Sequence, residues 1–470
     1  MTNKVLNDYR FFDPHEIVGK IAYELYESVR NLPIISPHGH VDARILAENE
    51  PFPDPAELIV IPDHYIYRML YSQGIQLESL GVPSQDGTPV ERDHRKIWQL
   101  FADHFYLFFG TPTGVWLAHE FEEVFGVEER LNGTNAMRIY DHMAEKLQTR
   151  EFRPRSLFER FGLEVLTTTD APGDSLQHHK TLQKSDLKGK VIPCFRPDPV
   201  VNIGLPGWKN AIRDLSKASG IEVRSYKKYI EALEKRREYF KSMGAVSTDQ
   251  GVESPYAHRM SPTRAEAIFK NALRGKATEK ESREFTANML MEMARMSVED
   301  GLVMQIHAGA MRNHNIAVFK KFGLDKGGDI PVQTEYTRNM HELLNTFGNK
   351  SSFTVVVFTL DESTYSRELA PLAGHYPAMR LGAPWWFHDS IQGMTRYRER
   401  VLETAGVYNT VGFTDDTRAF VSIPARHDLA RRIDSNFLAG QVARHIMDKQ
   451  EAAGIVKDLA YGLAKKTYKL

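Results

Sequence analysis

Two histidines separated by one residue, His38 and His40 in PIISPHGHVD, carry the sharpest chemical signal in the chain. Side chains alternate along an extended strand, so positions i and i+2 face the same way and both imidazoles reach one cation. Gly39 between them leaves room for close approach. Taken alone, such a pair has a plainer reading as a turn with two hydrogen-bonded imidazoles. Near the other end of the chain VGFTDDTRAF supplies two aspartates, Asp415 and Asp416, and then Arg418. Two imidazoles and a carboxylate form a donor set for a borderline divalent metal with open positions, closer to catalytic zinc sites than to closed structural ones.

Four further segments carry groups of the kind a small-molecule site needs. FRPD presents Arg196, whose planar fork matches a carboxylate with two parallel hydrogen bonds; its alternative role is to pair with Asp198 and tie down a loop. QIHAGAMRNHN carries His307 and Arg312, with Gly309 permitting a tight turn, and APWWFHD carries Trp385 and Trp386, rings that either stack on a sugar or fill a barrel end. PDHYIYR brings His64 and Tyr65 together, a pair that in a helical region more often packs than reacts. Cys194 lies within an apolar run and reads as a small buried hydrophobe.

These residues need elements that bring them together. Short apolar, β-branched runs ending in polar residues occur at 32–36, 165–169, 191–195, 245–248, 302–306, 354–359, 379–385 and 410–414, which predicts eight strands. Segments of helical periodicity lie between most of them, at 209–218, 226–242, 261–297, 391–404 and 427–450. Eight alternating units predict a parallel sheet closed into a (β/α)₈ TIM-type barrel, a fold whose catalytic groups cluster where strands end. The candidate residues fall at those ends: His38 and His40 after the first strand, Arg196 after the third, His307 and Arg312 after the fifth, Trp385 and Trp386 at the seventh, Asp416 and Arg418 after the eighth. Closure sets the first strand beside the last, so the histidines and the aspartate become neighbours. One interval breaks the rhythm. Residues 43–161 are rich in aromatics and helix formers without a convincing strand, which predicts a mostly helical insertion near the barrel mouth, with residues 1–42 and 162–470 making the barrel.

Composition narrows the function. The 470 residues have a formal net charge of −1, which gives no electrostatic footprint for nucleic acid or an anionic membrane. One cysteine forms neither an intrachain disulfide nor a thiolate cluster, so any metal must be held by His, Asp or Glu. The first thirty residues lack the apolar core of a signal peptide, and no run approaches the ~20 apolar residues that span a bilayer. A cytoplasmic, reducing location is the default expectation.

Taken together, PHGHVD, PDHYIYR, TTTDAPGDSLQHH, PCFRPDPVVNI, LVMQIHAGAMRNHN, LAPLAGHYPAMRLGAPWWFHDSIQGM and FTDDTRAF resemble, in this order, the motifs of the uronate (glucuronate) isomerase family of the amidohydrolase superfamily. The resemblance implies a barrel with a helical insertion, one divalent metal, usually zinc, on His38, His40 and Asp416, and a small uronic acid as substrate. It maps an active-site His-Tyr pair to His64 and Tyr65, the substrate-carboxylate arginine to Arg196, the eighth-strand pair to Asp416 and Arg418, and pocket-wall positions to His307 and the two tryptophans. The implied reaction interconverts D-glucuronate or D-galacturonate and its 2-keto isomer, fructuronate or tagaturonate; a homo-oligomer is expected. Two departures stand out. Family members commonly have Asp-His-Gly after the fourth strand where this chain has Thr248-Asp249-Gln250-Gly251, and Asp-Asp-Thr-Arg replaces Thr-Asp-Ser-Arg on the eighth, where spacing to Arg418 selects Asp416.

Aldose–ketose conversion needs a base, an acid and stabilisation of an enediolate. Tyr65 activated by His64, or Asp416, serves as base; a tyrosine requires cations nearby to lower a pKa near ~10, and Tyr65 is the favoured choice. The first rival is a mononuclear metal-dependent hydrolase, disfavoured in its binuclear form because the fourth strand carries no lysine and the sixth no histidine. The second is a non-catalytic sugar-acid-binding protein, which would need far fewer acid, base and ligand groups.

Overall fold

The computed structural model describes residues 5–470. Seven parallel strands curl into one sheet: β1 Ile34–Ser36, β2 Leu163–Asp170, β3 Lys190–Phe195, β4 Ser247–Val252, β5 Val303–Ala308, β6 Val355–Thr359 and β7 Met379–Leu381, each paired with the next in chain order. Their near-continuous apolar runs, such as VVVFT in β6 with every residue buried, suit strands covered on both faces. The connecting helices lie where periodicity places them, with two interruptions. The 261–297 segment divides into Pro262–Leu273 and Glu279–Asp300 at Gly275, which takes φ +71°, and the second helix starts on a Thr278/Glu281 capping box. The 427–450 segment divides into Ile423–Ala443 and Lys449–Lys457.

The eighth barrel position is filled, but not by a ladder strand. Residues 410–414 join β7 through a single bridge from Leu381 to Thr410, and Val411 N–H donates to the Leu381 carbonyl at 3.0 Å. Towards β1 a side chain makes the closure: Ser36 Oγ donates to Asp415 Oδ1 at 2.8 Å, and the His40 amide then donates to the Thr417 carbonyl at 2.9 Å. Gly412 accounts for the missing ladder, with φ +79° and a position where a Cβ would lie 2.6 Å from the Leu459 carbonyl oxygen. The chain bends there against the helical segment beneath it. β4 and β5 also begin and end later than the apolar runs predict, so Asp249 and His307 lie within strands instead of just after them.

Between β1 and β2, residues 43–161 form helices and no strand, among them His64–Ser72, His94–Asp103, Pro112–His119 and Ala136–Leu147. Asp63, Asp93 and Thr111 cap three of these by accepting first-turn amides. Trp98, Phe101, Phe105 and Phe108 meet edge to face, and the apolar cluster they anchor continues without interruption into Ile34, Leu163, Leu166 and Val191 of the barrel. A second excursion, residues 312–329, leaves β5 through a short antiparallel neck of Ala310–Met311 and Ile330–Pro331. Its Val318 and Phe322 enter the same cluster, and Tyr67 OH donates to the Asp325 carbonyl at 2.7 Å. Excursion and insertion thus roof one end of the barrel as a single packed unit.

Because barrel and insertion share one core, they should lose structure together. Phe101→Ala, at a fully buried site, is expected to cost about 3–5 kcal/mol and to lower one common calorimetric transition; a separate early transition, with the barrel's melting unmoved, would show two independent cores.

Candidate active site at the barrel mouth

Eleven residues singled out by the sequence meet in one cavity of about 480 Å³: His38, His40, His64, Tyr65, Arg196, His307, Arg312, Trp385, Trp386, Asp416 and Arg418 all line it. Of the two neighbouring aspartates, Asp416 faces the cavity, whereas Asp415 turns back to Ser36. Gln250, at the position where related motifs have histidine, sits on the outward side of β4, its amide donating to Thr248 Oγ1 at 2.9 Å, and is absent from the cavity wall.

The centre of the site is a knot of imidazoles and carboxylates. Asp416 Oδ1 lies 3.5 Å from His38 Nε2 and 3.1 Å from His40 Nε2, and Asp416 Oδ2 lies 4.0 Å from His307 Nε2. The ring of His307 is sandwiched between His38 and Phe358, with centroids at 4.7 and 4.1 Å. Asp249, which sequence reading placed at a strand end without giving it a role, joins the halves: Oδ1 pairs with His307 Nδ1 at 2.6 Å and Oδ2 with Arg196 Nη1 at 3.2 Å, while His38 Nε2 is 4.0 Å away. Period-two alternation on adjacent strands aims Asp249 and His307 into the same barrel interior.

Electrostatics follows from burial and neighbours. Burial pushes the His38 imidazole down to about 4, against the opposing pull of Asp249 and Asp416, so it is neutral at physiological pH. His64 is held well below its usual range by burial and then by the Arg418 charge. For Asp416 burial acts upward, but His38, His40 and His307 together outweigh it, and the group is ionised across the physiological range. Asp249 follows the same pattern, with Arg196 the largest of the groups opposing its burial.

Three buried atoms at this centre are short of hydrogen bonds: His307 Nε2 has none, and Asp249 Oδ2 and Asp416 Oδ1 have only the ion-pair contacts to Arg196 and His40 given above. Leaving such atoms unpaired is costly, and a cation with nitrogen and oxygen ligands satisfies them directly. One atom each from His38, His307 and Asp416 lie within 4.8 Å of one another, so these three residues can hold a metal ion, with His40 adjoining. The donor set fits a divalent metal.

Two guanidinium groups converge elsewhere on the wall. Arg196 Nε donates to Asp198 Oδ2 at 2.9 Å, and Arg312 Nη1 donates to Asp329 Oδ2 at 2.7 Å. A Cβ on Gly251 would lie 2.7 Å from Asp198 Oδ2, 2.9 Å from Arg196 Nη2 and 3.6 Å from Arg312 Nη2, so the two guanidinium groups converge beside this glycine with the Asp198 carboxylate between them and its amide. Arg418 reaches the roof, 3.5 Å from Asp325. Asp325 and Asp329 come from the 312–329 excursion, and nothing in its sequence pattern marked them as arginine partners.

Tyr65 sits in the first turn of the helix capped by Asp63, its ring 4.5 Å from that of His64, and no hydrogen bond joins the two side chains. Behind it the buried Arg426 lies 5.3 Å from the Tyr65 ring and donates to Asp389 Oδ2 at 2.6 Å. Burial raises the Tyr65 pKa and Arg426 offsets only part of that, so the lowered value that the sequence argument for a tyrosine base required is not found in the free protein. Four of the nine non-glycine residues with positive φ among those described, Asn313, Asp325, Trp386 and Asp416, line this one cavity. Backbone strain is concentrated where the side chains must be aimed.

Residues 12–468 match the family model described as glucuronate isomerase. A uronate isomerase of Nostoc punctiforme is 54% identical over 99% of this chain and 98% of its own length. Among solved structures, glucuronate isomerase from Caulobacter crescentus superposes with a TM-score of 0.97 at 50% identity, covering 99% of this chain and 97% of that one. Uronate isomerase from Thermotoga maritima superposes at 0.92 with 28% identity, covering 98% and 99%. A (β/α)₈ barrel, a mouth lined by these residues and full-length similarity of this degree place the chain in the uronate isomerase family.

Proposed function

We propose that the cavity interconverts an aldehyde uronate, D-glucuronate or D-galacturonate, and its 2-keto isomer by moving one proton between neighbouring carbons through an enediol. The observation that carries this reading is the pairing, in one cavity, of an ionised carboxylate set among three imidazoles with two guanidinium groups, Arg196 and Arg312, converging on the same wall. The first half suits a hydroxy-aldehyde, and the second suits a carboxylate at the far end of the same short molecule.

Arg196 and Arg312 bind the carboxylate and set the register of the open chain. Asp198 and Asp329 hold the two forks in place, leaving nitrogens free for the substrate. His38, His40 and Asp416 would hold a divalent metal, zinc by its ligand types, with His307 against the same aspartate. Such an ion, when bound, polarises a carbonyl oxygen. Arg418, next to Asp416 on the wall, orients the hydroxyl and carbonyl oxygens, and the pair handles the oxygen-bound proton. The carbon-bound proton falls to Tyr65 and His64. Since Tyr65 is a phenol in the free protein, it acts as base only once substrate binding brings an acceptor for its own proton into reach; His64 packs against its ring, and Arg426, 5.3 Å from that ring, is the cation that favours the phenolate. Trp385 and Trp386 wall the sugar's apolar face.

A hydrolase on the same fold is the alternative, and the strands argue against its binuclear form: β4 (STDQGV) carries no lysine and β6 (VVVFT) no histidine. A binding protein without turnover would not need an ionised carboxylate and a His-Tyr pair in the cavity beside the arginines.

Incubation with a panel of uronates in D₂O, followed by NMR and mass spectrometry, tests the reading. A 2-keto isomer is expected; a product heavier by one water, or bound but unchanged sugar, would discard it. Arg196→Met is expected to raise KM for uronates by about 10–100-fold, the loss of charge-assisted hydrogen bonds, and to leave turnover of the corresponding neutral aldoses unchanged. Equal effects on charged and neutral sugars would remove Arg196 from carboxylate binding. Tyr65→Phe should lower kcat by about 10²–10⁴-fold with little change in KM, and a kcat within about threefold of the unaltered protein would exclude the phenol from proton transfer.

A further inference from the structure

Below the cavity, on the inner face of β5 two residues before His307, Gln305 is fully buried. Its amide nitrogen lies 3.4 Å from His38 Nδ1, and its amide oxygen accepts from Tyr468 OH at 2.8 Å. Tyr468 ends the helix Leu463–Tyr468, which is pinned under the barrel by Lys465 to Glu164 at 2.6 Å and by Lys469 to the Gly301 carbonyl at 2.9 Å. Its ring is fully buried and its hydroxyl reaches up inside the barrel. Among the described residues, Gln305 is the one hydrogen-bond partner of His38 Nδ1.

We propose that Tyr468 and Gln305 form a buried relay that sets the tautomer of His38 and thereby its strength as a metal ligand. The inference rests on the reading of His38 as a ligand through Nε2. A neutral histidine that ligates through Nε2 carries its proton on Nδ1, and that proton needs an acceptor. With the amide nitrogen towards Nδ1, the observed orientation fits the other tautomer, protonated at Nε2. The two ends of a carboxamide are nearly the same size, so a half-turn of the Gln305 amide presents its oxygen to Nδ1–H. The amide nitrogen then donates to the Tyr468 oxygen and gives up long contacts of 3.4 Å to the Thr248 carbonyl and 3.7 Å to Cys194 Sγ.

The phenol is what makes both orientations possible, because a hydroxyl both donates and accepts. In the second orientation its hydrogen needs a new acceptor. Thr414 Oγ1, buried in the same interior with no hydrogen-bond partner of its own, is the group free to accept it. Tyr468 and Gln305 are therefore positioning residues: neither lines the cavity, and both act through His38.

The test uses the full-length protein stripped with a chelator, and reads its zinc dissociation constant by competition with a chromophoric indicator. His38→Ala serves as the reference. Gln305→Leu is expected to weaken zinc binding by about 10–100-fold, the usual effect of removing a ligand's outer partner. Gln305→Glu, which keeps an acceptor against Nδ1, should stay within about threefold of the unaltered protein. Tyr468→Phe, which removes one atom, should weaken binding by at least about threefold. Circular dichroism and the thermal midpoint establish folding. A folded Gln305→Leu with unchanged affinity would overturn the relay, and so would a Gln305→Glu as impaired as Gln305→Leu. If Gln305→Leu does not fold, Tyr468→Phe decides: unchanged affinity there ends the proposal. Retention of zinc by His38→Ala would instead overturn the ligand assignment beneath it, whereas its loss in His38→Ala alone would sink the relay and leave that assignment standing.

Discussion

A carboxylate that is 1% exposed inside a barrel must be paired, and Asp249 is paired on both oxygens. Isolated burial of such a charge costs several kcal/mol, so its partners are held as firmly as it is. His307 is fixed in plane and rotation by that bond together with the stack between Phe358 and His38. Arg196 is fixed by the same carboxylate and by Asp198. The imidazole knot and the arginine wall thus hang on one side chain of β4, and the distance between the two ends of the site is set there.

Much of this was legible from residue types and strand ends. The barrel, the helical interval and the residues lining the cavity follow from apolar runs of strand length that finish in His, Arg, Trp or Asp, because a closed parallel sheet gathers those ends at one mouth. What sequence patterns do not carry is how side chains divide among partners. His40 and His307 both approach Asp416, one from the β1 end and one from β5, and only packing against Phe358 places the second ring there. Asp249 was visible as a strand-end carboxylate, and the Thr-Asp-Gln-Gly run hinted that its neighbourhood differs; its double pairing needed coordinates. The 410–414 segment read as a strand because its residues are apolar, while the bend at Gly412 depends on a carbonyl nearly fifty positions further on.

The roof shows a second limit of local reading. Residues 312–329 have neither strand nor strong helical periodicity, yet they supply Asp325 against Arg418 and Asp329 against Arg312. These acids act by orienting cations, and a lone aspartate in a loop has no sequence signature for that task. Backbone strain at Asn313, Asp325, Trp386 and Asp416 is maintained because the packed insertion and the barrel over-determine each position.

Closure of the barrel through Ser36 and Asp415 joins residues 379 positions apart. At ~5–20 residues per second of synthesis, the first strand waits on the order of 20–80 s for its far neighbour. Through that interval an unpaired edge stands open, the kind of surface that invites wrong partners. The helices that follow β1 bury Ile34 with Leu163 and Leu166 in one apolar cluster, so the nascent chain can cover the apolar face of that strand well before its eighth segment emerges. A feature that roofs the finished pocket is thereby also a guard during biosynthesis.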